Sequence, residues 1–255
     1  MNTAYPELQH AFDKMILSAS GWRKVFAQSG SENDGAPEIS AADRDIVFFA
    51  AQSFAEFLQA EFPAIRTVII ARDSRPTGAA LLKEAVTAFA AAGNTSAATS
   101  SAALAVQSVG IAAAPEIMAY ARSAGAAFMY ISASHNPIGH NGFKFGLDSG
   151  GVLDGNQSAR LIALFTQKCE AARPDAVNLL RKQAAPAQLR TVFESEAAHK
   201  QAALTAYKNF LREVIADSQD TAEQARFFAS LKQQCAALAE AGKPFTLVAD
   251  FNGSA

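Results

Sequence analysis

The chain has 255 residues, 50% hydrophobic and 18% charged, with a formal net charge of −2. Such a composition excludes a disordered or fibrous chain, and the length suits one large domain or two ordinary ones. An isoelectric point near 6.1 leaves no electrostatic footprint for nucleic acid or an anionic membrane, so neither is expected as a partner. No apolar run is long enough to span a membrane, and Met1 to Glu7 lacks the basic-then-apolar pattern of a secretory leader. Cys169 and Cys235 form no C-x-x-C pair. Two reduced thiols and a cytoplasmic location are therefore expected.

In chain order, Met15 to Leu17 reads as a short strand that breaks at Ser18 into a turn reaching Arg23. Residues 28–37 are loop. Ser40 with Asp43 resembles a capping box and opens a helix to about Phe62, one face traced by Ile46, Phe49, Ala50, Ser53, Phe54 and Phe57. Thr67 to Ala71 is continuous and β-branched, as buried parallel strands are. A loop from Arg72 to Gly78 follows, then an Ala-rich helix that Gly93-Asn94 should close. A strand and a loop are expected within 95–114, and Pro115 starts a helix to about Ser123. The next strand, Ala126 to Ile131, breaks into Ser132-Ala133-Ser134-His135-Asn136-Pro137 and runs on through Asn141 to Phe145. Gly139, Gly142, Gly146, Gly150 and Gly151 read as tight turns there. Strand and helix alternate throughout, which predicts an α/β layered domain.

From about residue 155 the texture becomes Ala-, Gln- and charge-rich. Helices are predicted over 156–172, 197–217 and 221–241, separated by Pro174, Pro186 and polar turns, as additions to the α/β unit. Phe245 to Ala255 reads as a fresh strand running into a turn, which suggests a piece of a longer protein.

Ser134 carries the chemistry. A hydrolase elbow G-x-S-x-G is absent, since Ser132 and Asn136 stand where the glycines would be, and acyl transfer is disfavoured. A serine that carries a phosphoryl group needs cations and amide donors around it. His135, Asn136 and Lys144 supply several of these. Lys144, between Phe143 and Phe145, is either partly desolvated and suited to proton transfer or snorkels from a strand edge. Arg23 and the Arg72/Asp73/Arg75 group can fork a phosphate, or can be surface arginines paired with a nearby Asp. His135 and His140 lack the companions and spacing of zinc ligands.

Ser132 to Pro137 followed by Asn141-Gly142-Phe143-Lys144-Phe145 resembles the active-site loop of the α-D-phosphohexomutases, the phosphoglucomutase/phosphomannomutase superfamily. Ser20-Gly21-Trp22-Arg23, Arg72-Asp73-Ser74-Arg75 and Asp250 to Ala255 match in family order. Ser132 stands where the family has threonine, Ser18-Ala19 where it has Gly-Thr, and Ala71 where it has glycine. The resemblance implies domain I, a mixed sheet sandwiched by helices, over residues 1–244, with a helical extension from about 155. It makes residues 245–255 the first strand of a truncated domain II. It implies a phosphoserine at Ser134, with His135 and Lys144 assisting proton movement and Arg23 lining the site. Arg75 and Asn136 belong to the phosphate environment. It further implies Mg²⁺ held through the Ser134 phosphate, with its main ligands in the missing domain. The reaction implied is interconversion of hexose 1- and 6-phosphates through a hexose bisphosphate. A phosphopentomutase, a phosphoglucosamine mutase or a non-catalytic regulatory paralogue of the same fold is the alternative. The isolated fragment is expected to be inactive.

Overall fold

The computed structural model describes residues 5–95 and 104–249. Helix α1 (Pro6–Asp13) leads into strand β1 (Trp22–Val25), helix α2 (Ala41–Glu61) and strand β2 (Thr67–Arg72). Then come α3 (Gly78–Thr95), β3 (Ala105–Ile111), α4 (Ala114–Ala124), β4 (Ala127–Ile131) and β5 (His140–Gly146). Five further helices close the described chain: α5 (Gly155–Ala171), α6 (Pro174–Arg181), α7 (Pro186–Glu194), α8 (Glu196–Ala216) and α9 (Thr221–Glu240). The strands form one mixed sheet in the order β1-β5-β4-β2-β3. Strand β2 is parallel to β3 and β4, while β5 is antiparallel to β4 and β1.

Period-two alternation assigns each strand residue to one of two cores. Val68, Ile70, Met129, Ile131, Phe143, Phe145 and Trp22 join α2, α3 and α5 in the larger one. Ile69, Ala71, Phe128 and Tyr130 join α4 and Ala203 of α8 in the smaller. The sheet is thus covered on both faces, which explains the unbroken apolar reading of β2 and β4. Helix α2 is buried well beyond the single expected face, from Ala42 to Leu58 with few breaks, because it lies between the sheet, α1, α3 and α5. Its start is capped as predicted in part: Ser40 Oγ accepts from Asp43 N at 3.0 Å. The Asp43 carboxylate turns to that hydroxyl and to buried Lys24 instead of closing the box. Trp22 stacks on Phe165 of α5 at 4.7 Å and meets Phe145 edge-on at 4.9 Å. Helix α5 is therefore part of the sandwich itself.

Several expectations need correction. Residues 15–17 contribute one isolated bridge, Ile16 to Arg23, and the strand is Trp22–Val25, because β5 supplies it with a partner. Gly142 and Gly146 lie within β5, not in turns. A Cβ on Gly142 would stand 2.0 Å from the Trp22 carbonyl oxygen, so the two backbones approach as closely as they do only because that residue has none. Helix α3 runs through Gly93 to Thr95. Pro6, Pro174 and Pro186 start helices, since the missing N–H costs nothing in a first turn. Phe245 to Ala249 forms no strand and its large side chains are exposed, because no strand among the described residues pairs with it. The expected strand-turn continuation over 250–255 lies outside the described residues, as do 96–103.

Helix α8 is fastened to the far edge of the sheet by polar contacts. Ser108 Oγ donates to Glu196, Lys200 bonds Glu116 and the Ile111 carbonyl, and Tyr120 meets His199. Gly110, at φ +70°, lies under it; a Cβ there would be 2.7 Å from Glu196 Oε1. Helix α9 packs on α8.

Burial also sets the alkaline limit of the fold. Desolvation holds the Cys169 thiol and the Tyr5 phenol above their ordinary values of 9.0 and 10.0. It pushes Tyr130, with the Asp73 charge adding, up to about 12. The unfolded chain releases these protons first, so their contribution to stability is constant below pH 9 and is lost from there as pH rises through the folded values. Urea midpoints measured from pH 8 to 12 should show that decline, and Cys169→Ala with Tyr130→Phe should flatten it.

Candidate active site

The loops after β2, β3 and β4 gather at the carboxyl ends of the three parallel strands, where open α/β sheets place their sites. A cleft of about 690 Å³ runs between them, lined by Asp73, Arg75, Ala113, Tyr130, Ser134 and Lys144 among others. A smaller one of about 190 Å³ continues past Ser134 to Arg23 and Gly21. Ser134 borders both.

The serine loop holds Ser134 in a strained backbone conformation. Ser134 has φ +57°, one of two non-glycine residues with positive φ among the described residues. For an L-residue this left-handed conformation costs about 1–2 kcal/mol and persists only where surroundings impose it. Arg75 is that imposition. Its guanidinium donates to four loop carbonyls: Ser134 at 2.8 Å, His140 at 3.1 Å, and Asn136 and Pro137. Asp73 holds the arginine in turn, accepting from its backbone N–H at 3.1 Å and from Nε at 3.2 Å. Ser132 Oγ takes the Ser134 N–H at 3.0 Å, and the Asn136 amide caps the Ala133 carbonyl at 2.7 Å. Buried Asn141 ties the loop's return to Thr77 at 3.0 Å. Arg75 and Asn136 thus shape the loop through its backbone.

Arg23 and Lys144 come from the sheet. Arg23 pairs with Gly142 across β1 and β5, and Lys144 pairs with Tyr130 across β5 and β4. Alternation therefore puts both cations on one face, opposite the Phe143 and Phe145 rings. Helices α4 and α8 pack against β2, β3 and β4 on that side, which leaves the cleft over β1 and β5. Among the described residues neither cation has a carboxylate partner. No acidic side chain lines the smaller cleft. In the larger one Asp73 is engaged by Arg75. The geometry is that of an anion site with the serine hydroxyl at its edge. His135 is exposed, its Nδ1 3.5 Å from Ser134 Oγ, beyond a strong hydrogen bond. Tyr130 on the wall donates to the Ala112 carbonyl at 2.9 Å, and its raised pKa keeps the phenol protonated.

The expected alternative of an arginine paired with a nearby Asp holds for Arg75 and Asp73, whereas Ser132 as the acceptor for the serine's N–H and Tyr130 were not anticipated from the sequence. A polar-tipped residue inside an apolar strand was the available signal for the last. No group of three His, Cys, Asp or Glu side chains able to hold a metal exists among the described residues. Nor does any helix among them have the length and apolarity to cross a membrane.

The family model of the phosphoglucomutase/phosphomannomutase alpha/beta/alpha domain I matches residues 16–172. The chain belongs to this family. The match takes in the whole sheet, α5 and every residue of the serine cleft, and it ends before α6. Similar solved structures include a candidate phosphomannomutase of Thermus thermophilus, at 20% identity and a TM-score of 0.47 over 63% of this chain. Another is a phosphoglucomutase/phosphomannomutase family protein of Burkholderia thailandensis, at 22% identity and 0.40 over 60%. The alignments cover 32% and 31% of those chains, so this chain spans about a third of their length. The search of curated proteins returns no match.

Proposed function

We propose that this chain is the phosphoserine-bearing first domain of a phosphohexomutase, an intramolecular phosphotransferase of the isomerase class acting in cytoplasmic carbohydrate metabolism. One observation carries the reading: a serine locked at positive φ borders a cleft whose two sheet-borne cations, Arg23 and Lys144, have no anion of their own among the described residues. Fixed cations without counter-charge bind a phosphoryl group without first breaking an ion pair, and stabilise the charge spread over its oxygens during transfer.

In the proposed step, the bond from phosphorus to Ser134 Oγ breaks as a sugar hydroxyl oxygen bonds to phosphorus. The proton displaced from that hydroxyl ends on Oγ, with Lys144 and His135 as the groups at the cleft able to relay it. The product is a hexose bisphosphate. Its reorientation and return of the other phosphoryl group to Oγ interconverts the 1- and 6-phosphates. Magnesium supplies charge neutralisation at the transferring group in such chemistry. The described residues offer it the oxygens of a Ser134 phosphate and no carboxylate set, so its remaining ligands would come from elsewhere. With about a third of the related length present, residues 1–255 alone are expected to give no mutase turnover.

Intact-mass and peptide analysis of the protein, as isolated and after incubation with a hexose 1,6-bisphosphate and Mg²⁺, tests the reading. One phosphoryl group on Ser134, absent from Ser134→Ala, is expected. Ser134→Gly should also lose it while gaining up to about 1 kcal/mol of stability as the strain at φ +57° is relieved. Phosphate on another residue, or a Ser134 left unmodified in a protein of the relatives' full length that carries this chain, would overturn the assignment in favour of a non-catalytic paralogue.

A further inference from the structure

A second cleft, of about 580 Å³, lies where α7 and α8 meet the β3 edge of the sheet. Arg72 and Lys83 supply cations from β2 and α3, Ile111 lies at the end of β3, and Phe193 and Lys200 come from α7 and α8. Four of the eleven residues of this wall, Phe193, Glu196, Ala197 and Lys200, lie beyond residue 172, where the family match ends, so the added helices complete the cleft.

Its charges are unevenly settled. Lys200 is satisfied by Glu116 and the Ile111 carbonyl, and Glu196 by the Ser108 hydroxyl. Arg72 donates to the Asp73 carbonyl at 3.0 Å and meets no carboxylate among the described residues. The Lys83 ammonium has no partner among them. Lys200 is thus neutralised by Glu116, and Arg72 and Lys83 face Glu196 as the one carboxylate on the wall, which leaves both free to take an anion. Ile111 and Phe193 border the same space while 41% and 37% exposed, apolar surface that a bound ligand would cover.

We propose that this cleft binds a small phosphate monoester with an apolar body. Two cations suit a dianion better than a singly charged carboxylate, because the second charge matches the second cation. The apolar pair beside them accounts for the rest of the molecule. The proposal stands apart from the reaction at Ser134, since none of its residues is placed in that cleft's chemistry.

Phenyl phosphate is the probe, titrated into the ¹⁵N-labelled protein at about pH 7.5, where a phosphate monoester is mostly dianionic. Saturable shifts are expected at the amides of Gly110, Lys83 and Ala197. Lys83→Glu, an exposed position, should weaken this binding about tenfold or more. Benzoate, with the same ring and a single charge, should bind at least about tenfold more weakly. Arg23→Ala, which removes a cation from the serine cleft, should leave these shifts in place. Shifts confined to the Ser134 loop, an affinity unchanged by Lys83→Glu, or benzoate binding as tightly as phenyl phosphate would each overturn the proposal.

Discussion

Replacing Arg75 with alanine should slow phosphorylation of Ser134 by about 10²-fold or more, the scale on which a misplacement of about 1 Å acts on a reacting group. The stability cost should be of similar size in free energy, about 2–3 kcal/mol. Hydrogen bonds to a charged group contribute about 1.5–3 kcal/mol each, but carbonyls at the rim of a cleft regain water when the guanidinium goes. Arg75→Lys should not rescue the rate, because one ammonium cannot serve four carbonyls lying in a fork's directions. Phosphate incorporation measured by mass, alongside a thermal melt, separates the two effects. A variant that incorporates phosphate at the normal rate would show that the loop holds its path without the arginine.

Gly142→Ala should be worse for the fold. The added methyl would sit 2.0 Å from the Trp22 carbonyl oxygen, and backbone, unlike a long side chain, has nowhere to swing. Strand β1 would have to leave β5, taking Trp22 off Phe165 and Arg23 out of the cleft. A loss above about 4 kcal/mol is expected, the range reached when a buried element is forced apart. Denaturant midpoints check it; a loss under about 1 kcal/mol would mean that the two strands can separate slightly at little cost.

The layered α/β architecture was legible because α2, α3, α4, α5, α8 and α9 carry helical periodicity and β2 and β4 are continuous apolar runs. Strands β1 and β5 were not. Trp22-Arg23-Lys24-Val25 alternates with charges on both faces, and the charge that faces the core is tolerated only because Asp43 meets Lys24 there. His140 to Gly146 has the Gly and Asn content of a turn and becomes a strand through pairing on both sides. Pro174 and Pro186 read as breaks, although proline is equally a starting residue. At the site, Ser134, His135 and Lys144 announce themselves as a dense local cluster. The clamp could not, since Arg75 lies 59 to 65 residues from the carbonyls it holds. No local pattern encodes a contact of that span.

The Arg75 clamp grips only main-chain carbonyl oxygens, which every residue possesses. The path of the serine loop is therefore specified by one distant side chain together with the loop's own Ser132, Asn136 and Asn141, and not by its remaining residues. His135 and Ile138 project from a backbone whose shape they do not determine, so chemistry and contacts at those positions can diversify among relatives while the nucleophile stays where it is. Geometry and composition are stored in different parts of the chain, and each can change without erasing the other.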